Sequence, residues 1–420
     1  MKIKTRKWYK LDNSAKIFPP NVTKKDPKVF RFSCELYENI DELILQNALN
    51  KTLEDYPLFL SSLKKGLFWY YLETSTIKPI VQEENSVICD VMDKKLLFKV
   101  SYYKKRINLE VHHALTDGTG TLIFIKSLVS NYLMEKHKIK TKIMLDSTSI
   151  SEKETNSFEK YYKKTKKIKI SKRIKAYNLK GEIYPENRLK VIEGIVSTEK
   201  VLKLARKYNT TVTAYLVSVL IKSIGTTMSI KDKRKPVVIT VPVNLRKYFK
   251  SSTIRNFFNT ISIEYKFKNN NDNLKQIIKS VDNQFKNKLS PKKIDNLMNS
   301  FALLENLLLI RLVPIFIKDI VLKYFHIRSR KEQTIALSNV GIVEMPKELQ
   351  KYIKLFDVFT STDCTQICMC SYLDKMVLSF TTHFIDSEIE KNFFKELNKN
   401  DINIQINTNI IEDDDYEEVL

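Results

Sequence analysis

Apolar residues recur along the chain at two spacings, which predict alternating helices and strands. A spacing near 3.6 residues predicts a helix over 40–56, which ends at Pro57. Strict alternation predicts strands over 96–103 and 107–113, joined by a basic turn. The same two patterns predict further strands at 67–72, 189–197, 236–243, 260–267, 334–339, 365–372 and 375–381, and helices at 121–134, 198–208, 212–226, 273–289 and 386–397. The chain is therefore predicted to have a mixed α/β fold.

The length and one run of basic residues predict two domains. A chain of 420 residues is too long for one ordinary core, and two domains of about 200 residues each are expected. Nine Lys or Arg residues lie between Lys160 and Lys175, and we interpret the segment 151–175 as a solvated linker or as a strip that binds phosphates or a carrier protein. We expect an N-terminal lobe over 1–175, a C-terminal lobe over 176–408, and an acidic, disordered tail over 409–420.

The chain is strongly basic, with a formal charge of +24 and a pI near 9.5. Nucleic acid is not the expected partner, because 60 of the basic residues are Lys and only 12 are Arg, whereas base recognition relies on Arg. A solvated basic surface explains much of this charge. Such a surface also favours ligands that carry phosphates, or an acidic carrier protein.

Cysteine usage predicts a reducing compartment and no metal site. The chain has five cysteines, an odd number, so a disulfide framework is not expected and a cytoplasmic location is. Cys364, Cys368 and Cys370 lie close together, but their spacing fits no common zinc pattern. We interpret them as small core residues.

One apolar segment, 307–325, raises the question of a membrane. Arg311, Pro314, Lys318 and Asp319 interrupt it, so it is too polar for a membrane span. We interpret it as a buried helix or as an amphipathic helix at an interface. The second interpretation would place the protein peripherally at the inner face of the membrane.

The strongest chemical signal is a histidine pair at the end of a predicted strand. His113 shares a strand face with apolar residues, and burial there would keep its imidazole neutral, as a general base requires. A turn follows that contains Asp117, Gly118 and Gly120, in a chain with only seven glycines. The alternatives are a hydrogen-bonded core histidine and an aspartate that only begins the next helix.

The run 112–118, HHALTDG, matches the HHxxxDG signature of the condensation-domain and coenzyme A-dependent acyltransferase superfamily, which has a chloramphenicol acetyltransferase-like fold. Segments 56–59, 241–246 and 338–341 resemble other parts of that superfamily in the same order. The chain is most similar to stand-alone bacterial alcohol acetyltransferase-like proteins. It lacks the DFGWG motif of the plant enzymes.

This resemblance implies two similar lobes, each a mixed sheet flanked by helices, with an active-site tunnel between them. His113 would be the catalytic base at the centre of that tunnel. Arg246 would pair with Asp117 and fix the loop, which agrees with its position at the end of an apolar strand. The remaining implied residues are His112 and Gly118 as active-site support, and Ser338 and Asn339 as oxyanion or tunnel residues.

The implied activity is transfer of an acetyl or fatty acyl group from a thioester to an alcohol or amine. The donor would be acyl-coenzyme A or an acyl-phosphopantetheine carrier protein, used as a co-substrate, with no permanently bound cofactor and no metal. The acceptor is expected to be a small hydroxyl or amine compound, which includes lipid-like molecules. Two alternatives stay open: a condensation-like protein that forms amides from carrier-bound substrates, and a catalytically silent relative that only binds a carrier.

Overall fold

The computed structural model describes residues 7–139, 148–163, 175–185, 188–268, 272–306 and 311–410, without the side chains of 300–306. Its strands are β1 (Trp8–Lys10), β2 (Val29–Leu36), β3 (Ser61–Lys65), β4 (Tyr70–Thr74), β5 (Gln82–Glu83), β6 (Phe98–Tyr103), β7 (Arg106–His112), β8 (Lys190–Ser197), β9 (Val237–Asn244), β10 (Phe258–Tyr265), β11 (Ile335–Ile342), β12 (Ile353–Thr360), β13 (Gln366–Tyr372), β14 (Lys375–Thr382) and β15 (Gln405–Thr408). Its α-helices are α1 (Glu42–Asp55), α2 (Gly118–Lys136), α3 (Ile150–Lys153), α4 (Ser157–Tyr161), α5 (Thr198–Lys207), α6 (Val212–Thr227), α7 (Leu274–Lys288), α8 (Pro291–Asn306), α9 (Ile315–Arg330), α10 (Lys347–Gln350) and α11 (Glu388–Asn398).

The predicted mixed α/β fold is confirmed. Helices α1, α2, α5, α6, α7 and α11 and strands β6–β11, β13 and β14 all lie where the apolar spacing predicted them, with ends that differ by a few residues. The predicted strand over 67–72 is shifted, because it begins only at Tyr70. Most of the basic run, 164–174, and the tail from 411 onward fall outside the described residues.

A five-stranded sheet carries the histidine motif. Its strand order is β12-β2-β7-β6-β5, with β2 and β6 pairing antiparallel to β7 on either side. Helix α2 packs against β2 and β7, and α1 packs against α2. The edge strand β12 comes from the C-terminal part of the chain and pairs with β2. The lobe division at 175 stays a prediction, but this strand shows that the chain returns to the first sheet.

A seven-stranded sheet forms the centre of the second half, with strand order β10-β9-β11-β13-β14-β8-β15. It is mixed, because β11 runs parallel to both β9 and β13 while the other neighbours are antiparallel. Helices α6, α7 and α11 bury apolar faces in the core of this half. A smaller three-stranded sheet, β1-β4-β3, lies in the N-terminal half.

The cysteines are free thiols, and the described part of the apolar segment is helical. Cys34, Cys89, Cys368 and Cys370 are buried free thiols, and Cys364 is half-buried. Among the described residues no helix is long and apolar enough to cross a membrane. The predicted segment 307–325 lies partly outside the described residues, and from Ile315 onward it is α9.

Candidate active site

His113 lies one residue beyond the end of β7, where the two halves of the chain meet. Its backbone N–H donates to the carbonyl of Lys28 at 2.8 Å, which belongs to the N-terminal half. Its carbonyl accepts from Nδ2 of Asn256 at 2.9 Å, which belongs to the C-terminal half. The main chain at His113 is therefore held from both sides.

Three aromatic rings enclose the imidazole of His113. Phe18 stacks on it with ring centroids 4.6 Å apart, Phe30 lies at 4.4 Å and Phe258 at 6.3 Å. Burial, with smaller contributions from the nearby His112 and Lys28, lowers the pKa of His113 to about 3. The ring is therefore neutral at physiological pH. Its Nδ1 is buried and has no hydrogen-bond partner among the described residues.

His112 has a structural environment. Its Nδ1 accepts the backbone N–H of Ala114 at 3.0 Å, and its side chain is buried. Burial also lowers the pKa of His112, to about 4, so this ring is neutral too. Because the N–H of Ala114 requires an acceptor, the hydrogen bond fixes the Nε2–H tautomer of His112. The side chain shapes the turn that follows His113.

Asp117 and Arg246 form a buried pair that joins the motif to the second half. Asp117 caps α2, since its Oδ1 accepts the N–H of Gly120 at 3.0 Å. The guanidinium of Arg246 donates to both carboxylate oxygens, at 2.8 and 3.1 Å. The two side chains are 6% and 9% exposed. The pairing that the resemblance implied is thus present, and it is of the bidentate kind that fixes orientation.

A short segment, 253–258, forms hydrogen bonds to the HHALTDG run from the opposite side. No sequence pattern predicted this contact. The N–H of Phe257 donates to Oδ2 of Asp117 at 2.9 Å, and the hydroxyl of Thr116 donates to the carbonyl of Ile254. Asn256 of the same segment holds the carbonyl of His113. A polar run between two apolar strands, TIRN in this chain, was the available signal, but nothing in it named the partner.

The two glycines of the motif have different surroundings. A Cβ at Gly118 would meet only Cγ2 of Val340, at 3.8 Å, which is an ordinary contact. A Cβ at Gly120 would lie 1.9 Å from the carbonyl oxygen of Ile254 and 2.2 Å from the hydroxyl of Thr116. Close packing therefore requires glycine at position 120, whereas position 118 has open space beside it.

We expect Gly120→Ala to destabilise the fold and Gly118→Ala to leave it nearly unchanged. The first substitution forces the backbone of Ile254 away, and overpacking of this kind costs about 3 kcal/mol. The second is its matched control two residues away in the same helical turn. Urea unfolding of both variants measures the difference. Equal unfolding free energies would show that the two halves do not approach each other closely at Gly120.

Ser338 and Asn339 lie in the middle of β11, next to a β-bulge between Asn339 and Gly341. Val340 in this bulge is the neighbour of Gly118, so β11 borders the motif. The amide of Asn339 is engaged at both ends, since it donates to Thr213 at 2.9 Å and accepts from the N–H of Gly341 at 2.8 Å. The oxyanion role of Ser338 and Asn339 stays a prediction.

One group of potential metal ligands lies near the site, formed by Asp26, His326 and Asp363. Two cations already occupy it, because Lys28 pairs with Asp26 and Arg330 pairs with Asp363. The two carboxylates are thus neutralised by side chains of the chain itself. This group is better described as an ion-pair network that joins α9 to the N-terminal half.

Comparison with solved structures identifies the class of fold. Polyketide synthase associated protein 5 from Mycobacterium tuberculosis is 13% identical with a TM-score of 0.62, covering 93% of this chain and 97% of that one. A trichothecene 15-O-acetyltransferase from Fusarium sporotrichioides is 9% identical with a TM-score of 0.62, covering 94% of each chain. TRI101 of F. sporotrichioides, in complex with coenzyme A and T-2, is 10% identical with a TM-score of 0.62, covering 95% and 99%.

The chain therefore has the chloramphenicol acetyltransferase-like, two-lobed fold of condensation domains and coenzyme A-dependent acyltransferases. The resemblance inferred from the HHALTDG run is confirmed for the fold over almost the whole chain. No family model matches the sequence, and no curated protein matches it significantly. At these low identities the neighbours define the fold, and the chemistry has to be argued from the site.

Proposed function

We propose that this chain is an acyltransferase that moves an acetyl or fatty acyl group from a thioester to an alcohol or amine, with His113 as general base. The observation that carries the proposal is the neutral, aromatic-lined imidazole of His113 at the junction of the two halves. A general base requires this protonation state, and the fixed backbone on both sides keeps the ring in one position.

The proposed reaction is a direct transfer. His113 takes the proton from the acceptor as its oxygen or nitrogen attacks the thioester carbonyl, and the carbonyl becomes a tetrahedral oxyanion. When the intermediate collapses, the carbon–sulfur bond breaks and the departing sulfur takes the proton from His113. The acceptor ends acylated, and the donor ends as a free thiol. The hydroxyl of Ser338 is our proposed donor to the oxyanion.

The surroundings of His113 favour transfer over hydrolysis. Phe18, Phe30 and Phe258 form apolar walls around the ring, and such walls exclude the water that would compete as a nucleophile. The buried Asp117–Arg246 pair holds the loop rigid without touching the imidazole. Much of the expected rate then comes from holding donor and acceptor together at one base.

Three observations support a phosphopantetheine-bearing donor. Both coenzyme A and an acidic carrier protein suit a chain with a formal charge of +24. The open space beside Gly118, at the start of α2, offers a route for the pantetheine arm. The same fold is known with coenzyme A bound in TRI101. We propose acyl-coenzyme A as the donor to be tested first, with an acyl carrier protein as the alternative.

Product analysis tests this proposal. The purified chain is incubated with short- and long-chain acyl-coenzyme A, or with a charged carrier protein, together with a panel of alcohols and amines. Mass spectrometry then searches for the ester or amide. A new acyl–acceptor product supports the proposal and identifies the substrate class. No product from any donor and acceptor pair would instead favour a silent, carrier-binding protein.

We expect the rate to be independent of His113 protonation across the neutral range. A folded-state pKa near 3 means that the base is competent at every pH above that value and fails only as pH falls through it. With a hydroxyl acceptor, kcat/KM should show no acid limb near pH 6.5. Circular dichroism at each pH is the control for unfolding. An acid limb centred near pH 6.5 would contradict this and show a solvated imidazole in the working enzyme.

A further inference from the structure

Helix α9 is amphipathic in the reverse of the usual sense. Its polar residues Lys318, Asp319 and His326 are turned toward the protein, and Lys318 is only 8% exposed. Most of its large apolar residues point outward, although Ile315 is buried. Seven of them are 41–67% exposed: Phe316, Ile317, Ile320, Val321, Tyr324, Phe325 and Ile327. A helix packed only for core stability would show the opposite arrangement, so the outward apolar residues require another explanation.

Polar contacts fix this orientation. Nζ of Lys318 donates to the carbonyl of Phe68 at 3.0 Å, and Asp319 accepts from the hydroxyl of Tyr70 and from Lys65, both at 3.0 Å. Further along the helix, Nε2 of His326 lies 3.4 Å from Nζ of Lys28. The helix is therefore anchored along its polar side and cannot roll its apolar side inward without breaking these contacts.

The outward residues form one continuous stripe. At about 100° per residue, positions 316, 317, 320, 321, 324, 325 and 327 cover about half of the helix circumference. The 16 residues give a length of about 24 Å. This is long enough to lie on a surface as a single face.

A second element extends the stripe. The tip of the hairpin between β3 and β4 carries Leu67 and Phe68, which are 71% and 37% exposed. The N–H of Ile315 donates to the carbonyl of Leu67 at 2.9 Å, so this tip lies directly at the start of α9. We name the outward stripe of α9 together with Leu67 and Phe68 the α9 face.

The charges around the α9 face identify its partner. Lys323 and Arg328 on the helix are exposed, and the exposed Lys64 and Lys65 on the hairpin pair with Glu73 and Asp319. A second copy of the chain would place like charges opposite each other. An anionic bilayer instead offers opposite charge at the headgroups and apolar chains below them. We propose that the α9 face is a peripheral membrane-binding surface, which lies in the plane of an anionic bilayer.

This surface lies next to the candidate active site. The turn Pro19–Asn21 packs against α9, and the adjacent Phe18 stacks on His113. Membrane binding would place the His113 site beside the bilayer, where lipid-like acceptors are concentrated. The binding itself does not depend on acyl transfer and is tested without measuring activity.

The test is vesicle flotation of the full chain. Wild type is compared with the triple variant Phe316→Ser, Ile320→Ser and Ile327→Ser, on vesicles of pure phosphatidylcholine and on vesicles rich in phosphatidylglycerol. The matched control is Leu43→Ser with Ile230→Ser, which removes apolar side chains that are 77% and 75% exposed elsewhere. Thermal unfolding shows whether each variant is folded.

We expect wild type and the control to float with the anionic vesicles, and the triple variant to bind them at least ~10-fold less well because apolar burial drives insertion. Lys323→Glu with Arg328→Glu should reduce binding to anionic vesicles and leave the fold intact. Absence of wild-type binding, or undiminished binding by a folded triple variant, would overturn the proposal. Two other results would overturn it if wild type bound no vesicles. One is a wild-type dimer that the triple substitution abolishes, and the other is capture of an acidic carrier protein that the same substitution abolishes.

Discussion

Substitution of His113 by alanine should lower kcat by ~10²–10⁴-fold, since this is the usual contribution of a positioned general base. The substitution removes the ring that lies between Phe18 and Phe30, but it leaves the backbone bonds to Lys28 and Asn256 in place. The loop should therefore keep its shape while its base is lost. Steady-state thiol release with a saturating acceptor measures the change.

His137→Ala is the matched control for this experiment. His137 stacks on Tyr352 with ring centroids 3.7 Å apart and contacts Glu38, away from the aromatic rings around His113. Its removal should leave kcat unchanged. If His113→Ala kept wild-type kcat, the proton would have to leave the acceptor by another route, and His113 would be only a packed aromatic neighbour.

Substitution of Arg246 by methionine should destabilise the fold by about 3–5 kcal/mol, the usual cost of leaving one member of a buried ion pair without its partner. Asp117 would still accept hydrogen bonds from the N–H groups of Gly120 and Phe257 but would lose both hydrogen bonds from the guanidinium. The substitution would also remove the hydrogen bond that Nε of Arg246 donates to the carbonyl of Thr253. Urea unfolding measures the loss, and activity should fall with it because the loop carries His113.

An exposed ion pair is the control for the buried Asp117–Arg246 pair. Glu199 and Lys203 form an ion pair on α5 with side chains 65% and 70% exposed, and Glu199→Gln should change the unfolding free energy little. The double variant Asp117→Asn with Arg246→Met should recover part of the stability lost in Arg246→Met. If Arg246→Met were no more costly than Glu199→Gln, the Asp117–Arg246 pair would not join the two halves.

Amphipathic periodicity predicted most of the helices and many of the strands, but it did not reveal β2 and β12. Both faces of β2 are buried, and its polar positions are satisfied across the sheet: Arg31 reaches Glu110, and Ser33 reaches Asn108. In β12, Asp357 is buried and accepts from Ser379. A strand that is covered on both sides and contains paired polar residues shows no simple alternation, and its partners are set by distant pairing.

Some residues of the candidate site could be predicted from the sequence, and others could not. The HHALTDG run identified His113 and Asp117, because local spacing carries that information, and Arg246 followed from the resemblance. The rings of Phe18 and Phe258 and the amide of Asn256 could not be assigned, because Phe18 reaches His113 through tertiary packing within the N-terminal half, and Phe258 and Asn256 reach it only when the C-terminal half packs there. Of the two interpretations of 307–325, a buried helix does not fit the described part of α9, because most of its large apolar residues are exposed, and an amphipathic helix at an interface stays a prediction.

The most direct test of His113 as the base of an acyl transfer is thiol release from acyl-coenzyme A, measured for wild type and His113→Ala with and without an acceptor. The proposed reaction predicts rapid release only when wild type and acceptor are both present, with the other three combinations near background. Release by His113→Ala at the wild-type rate, or release by wild type that ignores the acceptor, would contradict it.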